Sequence, residues 1–374
     1  MGFIKTPIKG TRDFLPEDMA LREYVLNVMK DTYENFGFSL IGTPTVEHIE
    51  NLTRKQGGEN EKLIFKILKR GEKLNIENIT EPNELVDCGL RYDLTVPLSR
   101  FYANNMNELN QPFRTFQTGF VWRADRPQKG RYREFMQCDL DVFGEKTNLA
   151  EIELITAVTT FLKKLNFQNF QIKINDRRIL TTMVKWAELP IEKTDEILIS
   201  LDKLDKIGFD GVFEELVRNG FEEEKVRKYL QFFKKDFQNI ESFCAEFQMD
   251  RDVVENLKEI MAIVSQNVEA NLVFDPTLVR GMSYYTGPIF EICVEDLASS
   301  IGGGGRYDKM VEKYANISVP AAGFSIGFER LLLILKERGF KVPQTKEKIV
   351  YIIENKDKEV FKKIQEERSA GKIV

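Results

Sequence analysis

Histidine is almost missing from this chain, with His48 the single one among 374 residues. A Ser–His–Asp triad would have to use it, and a metal site built from several histidines is excluded. His48 itself reads as a polar residue beside a strand. Cysteine is scarce too. Cys88, Cys138, Cys244 and Cys293 lie far apart with no C-x-x-C pair, so they read as reduced thiols and not as disulfides or zinc ligands. No apolar run is long enough to span a membrane, and MGFIKTPIKG lacks the apolar core of a signal peptide, so the expected compartment is the cytoplasm. Positive charge is not in excess either. A net charge of -5 excludes a generally basic nucleic-acid coat and confines any RNA contact to local patches. What remains, 30% charged and 42% hydrophobic residues, is an ordinary globular composition long enough for two or three domains.

Along the chain, KGTRDFLPEDM reads as a turn leading into a helix, and FGFSLIGTPTVEH as an extended segment with Pro44 at an edge or strand end. KLIFKILKRGEKL and LVDCGLRYDLTVP suggest strands around a hairpin, and AEIELITAVTTFLKKL an amphipathic helix. Residues 178–271 are helical in period, charged and poor in glycine and proline, which suits a helical insertion between two parts of a β-rich domain. The final stretch, KIVYIIENKDKEVFKKIQEERSAGKIV, reads as strand, helix and the first residues of another strand.

Five local patterns carry possible chemistry. RADRPQKGRYREFMQCDLDVFG, residues 123–144, sets an arginine-rich turn beside a strand. On that strand Phe135, Gln137, Asp139 and Asp141 share one face, and Met136, Cys138, Leu140 and Val142 the other. If the apolar face packs on helices, the polar face points into a cavity where its acids need partners, either a cationic ligand group or internal arginines. LRYDLTVP, residues 90–97, reads as a strand whose Asp93 and Thr95 share a face. LVRGMSYYTG sets Arg280 before two adjacent tyrosines, of which strand alternation lets only one line a pocket. GGGGRYD reads by default as a flexible turn, and GFSIGFERLLLIL places Arg330 at the start of an apolar helix, where a guanidinium can meet a phosphate.

Together and in this order these patterns resemble a class II aminoacyl-tRNA synthetase and, within that class, the histidyl-tRNA synthetases. FGFSLIGTPTVE is similar to the dimer-forming motif 1, FVWRADRPQKGRYREFMQCDLDVFG to motif 2 and GFSIGFERLLLIL to motif 3. KGTRDFLPE, LVRGMSYYTGPIFE and GGGGRYD are similar to segments of the histidine branch. The resemblance implies an α+β fold: a six- or seven-stranded antiparallel sheet flanked by helices. It divides the chain into a discontinuous catalytic domain (1–177 and 272–340), a helical insertion (178–271) and the start of a truncated α/β anticodon-binding domain (341–374). It also implies ATP, Mg²⁺, L-histidine and tRNA(His) as ligands, and a homodimer.

The same resemblance assigns roles. Arg123 and Arg330 would hold ATP phosphates, supported by Asp125 and Arg131, with Phe135 stacked on adenine. Asp93, Thr95 and Gln137 would receive the α-amino group of histidine and Asp141 its imidazole, between Tyr285 and Tyr307. Arg280 would contact both the carboxylate and the α-phosphate, and the glycines 302–305 would let backbone lie near the amino acid. Catalysis would rest on Arg123, Arg280 and Arg330, with no protein metal ligand. Adenylation suits a chain without imidazole bases, because the attacking carboxylate is already ionised. Asp125 stands where the family usually has glutamate, and Ser283 where aspartate is common. A second reading is a non-catalytic relative, the regulatory subunit of ATP phosphoribosyltransferase, which senses histidine. A third is an inactive structural or RNA-binding helical protein, which would leave the inward polar strand faces unexplained.

Overall fold

The computed structural model describes residues 3–53, 60–74, 76, 79–167, 169–234, 239–281, 284–294, 300–343, 346–353 and 358–374. Ser283 therefore lies outside the described residues. Helix Pro16–Asn35 begins with a proline, whose missing N–H is no loss in a first turn, and with Glu17 and Asp18 at the positive end of the helix dipole. The strands that follow are β1 (Ser39–Leu40), β2 (Val46–His48), β3 (Lys66–Leu68), β4 (Val86–Leu90), β5 (Phe113–Trp122), β6 (Glu134–Phe143), β7 (Phe170–Asp176), β8 (Asn271–Phe274), β9 (Pro288–Val294), β10 (Gly302–Arg306) and β11 (Ala321–Gly327). Exposed His48 closes β2, away from any cavity described below.

Eight strands form one sheet in the order β1-β5-β6-β11-β10-β9-β7-β8, and β2-β4-β3 form a small second sheet. The six inner strands of the large sheet are antiparallel, while β1 and β8 join its edges in parallel. The expected six- or seven-stranded antiparallel sheet is thus corrected to eight strands with parallel edges. Strands of two and four residues are too short to show an alternation in sequence.

The alternation on β6 is realised. Cys138, Leu140 and Val142 are each about 1% exposed and pack under helix Leu149–Lys164, whose Leu154, Ile155, Phe161 and Leu162 are fully enclosed. With that face committed to the core, the odd residues must look out from the other side of the sheet. Between the parallel neighbours β7 and β8 the chain runs through helices Arg177–Trp186, Thr194–Leu201, Leu204–Arg218, Glu223–Phe233, Ile240–Glu246 and Arg251–Asn267. Their apolar faces join the same continuous core.

Three expectations change. The strand expected over residues 90–97 ends at Leu90, and helix Thr95–Asn105 begins within it. The Asp93 carboxylate accepts the Val96 N–H at 3.0 Å, a local bond that offers the backbone an alternative to the ladder. GGGGR is not a flexible turn but β10, hydrogen-bonded to β9 and β11 on both sides. The strand expected near residue 350 reduces to one isolated parallel bridge, Lys348 to Ile373, ahead of helix Lys358–Ser369. Val350 and Ile352 stay exposed there, and no further strand adjoins them among the described residues.

Candidate active site

The open face of the large sheet is the floor of a cavity of about 440 Å³, and every residue expected at the site lines it: Asp93, Thr95, Arg123, Asp125, Arg131, Phe135, Gln137, Asp141, Arg280, Tyr285, Tyr307 and Arg330. Strand register explains how distant segments meet. Asp139 lies across from Ser325, Ser325 from Gly303, and Gly303 from Glu291, so one polar row crosses β6, β11, β10 and β9. The Arg280 guanidinium lies against Gly303 in that row. A methyl group at Gly303 would come within 2.3 Å of its guanidinium, and one at Gly323 within 1.9 Å of the Asp141 carboxyl. At these two positions a side chain would occupy the space of a functional group.

One end of the cavity is acidic. Asp93, Asp139 and Asp141 are 3%, 3% and 2% exposed, and burial pushes all three carboxyls up from their ordinary values, Asp139 to about 7. Tyr307 donates its hydroxyl to Asp141, and Gln137 donates to Ser325 Oγ at 2.7 Å. Asp93 Oδ2, Asp139 Oδ1, Asp141 Oδ2 and Gln137 Oε1 are all buried with no hydrogen-bond partner. Four orphaned acceptors converging on one hollow call for a ligand rich in N–H donors, because each costs about 1–3 kcal/mol if left dry and unpaired. Internal arginines do not serve them. Arg91 donates to the carbonyls of Phe120 and Thr43, and Arg123 to that of Tyr92.

The other end is cationic. The Arg123 guanidinium lies 4.2 Å from the Tyr92 ring centre and 5.2 Å from that of Phe135. Arg330 donates to the Ser300 carbonyl at 2.6 Å, and burial followed by the repulsion of Arg131, Arg123 and Arg280 pushes its guanidinium down. Arg131 grips Asp125 in a two-bond pair at 3.0 and 3.1 Å. Arg280 pairs loosely with Glu291 at 3.4 Å. Crowded guanidiniums around a hollow are a ready receptor for a polyanion. Glu329, buried beside Arg330, is held by Arg22 through two 2.8 Å bonds and also by Arg12, which lies on the Tyr132 ring at 3.7 Å. The N-terminal segment thereby ties the motif 2 hairpin to the last helix of the site.

Sequence reasoning missed several lining residues. Tyr284 joins Tyr285 in the cavity, correcting the expectation that only one of them can, because they sit in a loop where strand alternation does not apply. Asp139 faced inward by pattern but received no role. Glu291 was legible as a lone charge between Phe290 and Ile292. Asp202 and Lys206, from the charged helical stretch, gave no signal at all.

Comparison with protein families matches residues 10–331 to "Histidyl-tRNA synthetase". The chain belongs to the histidyl-tRNA synthetase family. It is 42% identical over 349 residues to a probable histidine--tRNA ligase of Tropheryma whipplei, covering 88% of this chain and 80% of that protein. It is also 42% identical over 351 residues to a histidine--tRNA ligase of Leifsonia xyli, with the same coverage. Among solved structures, histidyl-tRNA synthetase from Nostoc sp. PCC 7120 aligns with a TM-score of 0.80 at 26% identity, over 100% of this chain and 86% of that one. A Bacillus halodurans protein described as an ATP phosphoribosyltransferase regulatory subunit/histidyl-tRNA synthetase shares the fold, with a TM-score of 0.79 at 21% identity, over 100% of this chain and 93% of that one. The histidyl-tRNA synthetase fold is therefore present in this chain. No helix among the described residues is long and apolar enough to cross a membrane.

Proposed function

We infer that this chain is a histidine--tRNA ligase, which activates histidine with ATP to histidyl-adenylate and transfers it to tRNA(His). The observation that carries the reading is one cavity with unpartnered acid oxygens at one end and clustered guanidiniums at the other. A histidine-sensing regulatory subunit needs the acidic end alone. Arg123 and Arg330 at the opposite end, with no acid partner to occupy them among the described contacts, favour the enzyme.

In the proposed reaction Asp93, with Thr95 and Gln137, receives the α-ammonium, and Asp141, held by Tyr307, receives the imidazole N–H. An apolar analogue would leave those buried acceptors unpaired, which is a strong basis for rejection. Phe135 carries the adenine. Arg123 and Arg330, supported by Asp125 and Arg131, hold the phosphates. Arg280, between the two ends, binds both the substrate carboxylate and the α-phosphate. The carboxylate attacks phosphorus as a ready nucleophile, so the protein's work is to align two anions and neutralise the charge that develops. Mg²⁺ would enter on the triphosphate's own oxygens. The described residues hold no cluster of three or more His, Cys, Asp or Glu suited to a metal ion, and no step is assigned to one.

The remaining parts of the reading are proposals of the same kind. Residues 178–271 act as an insertion into a catalytic domain of residues 1–177 and 272–340, supported by the parallel pairing of Gln171 with Asn271 across the point of entry and return. Residues 341–374 belong to a separate α/β unit, supported by helix Lys358–Ser369 and the bridge of Lys348 to Ile373. Exposed Leu40 and Val46 in the motif 1 region support a homodimer, and the compartment is the cytoplasm. The deciding experiment is ATP–pyrophosphate exchange. Exchange that depends on histidine, and on no other amino acid, is expected; histidine binding without exchange would transfer the chain to the regulatory class.

A further inference from the structure

Asp139 and Asp141 stand two residues apart on one face of β6, which places their Cα atoms about 7 Å apart with both side chains directed into the same hollow. Each keeps one buried carboxyl oxygen without any hydrogen-bond partner. Neither forms an ion pair among the described residues: Arg91 and Arg123, whose charges act downward on Asp139 against the larger effect of burial, donate to backbone carbonyls, and Arg280 pairs with Glu291. The other groups around the pair add negative charge or none. Asp93 faces it from the segment before helix Thr95–Asn105, Tyr285 from the loop before β9, Tyr307 from the end of β10 and Ser325 from β11; Cys138 and Tyr33 lie behind the sheet. Two acids enclosed at this separation, with a third beside them, cannot all remain ionised in an empty cavity.

We propose that the Asp139–Asp141 pair carries a proton in the ligand-free protein and gives it up when the cationic amino acid enters, so that histidine uptake is coupled to proton release. The inference rests on the function proposed above, and it gives Asp139 a task that the alignment of motifs does not. The step balances simply. The carboxyl O–H breaks, its proton leaves to solvent, and the bared carboxylate oxygen accepts an N–H of the ligand. Burial raises both carboxyls, the charge of Asp93 adds to Asp139 and that of Asp139 to Asp141, and with Asp139 pushed up to about 7 the transfer falls near neutral pH. A ligand cation beside the pair favours the charged form and reverses the shift.

Titration calorimetry with histidine at about pH 7, run in two buffers of unequal ionisation enthalpy, reads the proton directly. The wild-type chain should release about half a proton per site more than Asp139→Asn. Its dissociation constant for histidine should also rise about tenfold from about pH 8 to about pH 6, beyond any rise in the variant. Titration of the free amino acid's own imidazole appears in both proteins and cancels. Infrared difference spectra of the wild type, with and without histidine, should show the protonated-carboxyl band lost on binding, a result that needs no variant to fold. Equal proton counts in the two proteins, or an unchanged band, overturn the proposal. Should histidine fail to bind at all, the functional reading falls instead, and the ligand-free band, titrating near neutrality or absent there, still decides whether the pair holds a proton.

Discussion

The two ends of the cavity are built in opposite ways. The acidic end stands largely on the sheet: Gln137, Asp139 and Asp141 come from one strand, are almost wholly enclosed, and keep oxygens that no protein group satisfies. The arginine end hangs from a hairpin, a loop and a helix start, and its groups rest on carbonyls, aromatic rings and ion pairs. The first end is rigid and electrostatically uncomfortable. The second is braced by its own contacts, and the crowding of Arg330 by Arg131, Arg123 and Arg280 is what a polyanion would relieve. A small amino acid with few atoms needs the precise floor, whereas a large triphosphate can be gathered by longer side chains.

The bracing is tested by removing its keystone. Glu329 is 6% exposed between Arg22 and Arg12, so Glu329→Gln leaves two buried or half-buried cations facing a neutral amide. Breaking such a pair costs about 3–5 kcal/mol, and urea unfolding should register a loss of that size. A loss under 1 kcal/mol would mean the arginine end is not anchored by the N-terminal segment. Next in size, Arg280→Ala removes the one group that spans both ends. Pyrophosphate exchange should fall about 10²–10³-fold, chiefly in kcat, if Arg280 neutralises charge formed in the transition state.

The comparison also has a stability side, with a definite sign. Burial raises the folded-state carboxyls of both Asp139 and Asp141 above those of an unfolded chain, so their contribution is fully favourable below about pH 4, and that of Asp139 is lost as pH rises through about 7. Asp139→Asn should therefore stabilise the ligand-free protein at pH 8 by about 1–3 kcal/mol while weakening histidine binding. Thermal melts at pH 5 and pH 8 check this: the variant's advantage should shrink at the lower pH. An advantage independent of pH would show that the acidic end is not strained by charge.

Much of this was legible in the residues. The strand spanning 134–143 declares its inward face because four apolar residues alternate with polar ones, and motif order brought Arg123, Arg280 and Arg330 to one place. What stayed hidden has physical causes. Asp93 reaches the cavity at a helix start, not on a strand, because its side chain competes for backbone N–H groups, a choice that alternation cannot reveal. GGGGR resembles a turn because glycine is permissive, yet the reason for Gly303 is the guanidinium above it, supplied from more than twenty positions away. Asp202, in the turn after helix Thr194–Leu201, and Lys206, in helix Leu204–Arg218, belong to a charged stretch that looks like a solvated face from sequence alone.

The mildest change isolates space from charge. Gly323→Ala alters no ionisable group, yet its methyl would lie 1.9 Å from the Asp141 carboxyl and 3.1 Å from the Tyr307 ring. The neighbouring backbone is the middle of a sheet, so the carboxyl must give way, and overpacking of this kind costs about 1–3 kcal/mol. If Asp141 reads the imidazole, the displacement should appear as a rise in KM for histidine of about tenfold or more, with KM for ATP little changed. An equal rise for both substrates would place the damage in the sheet as a whole and remove the distinction between the two ends.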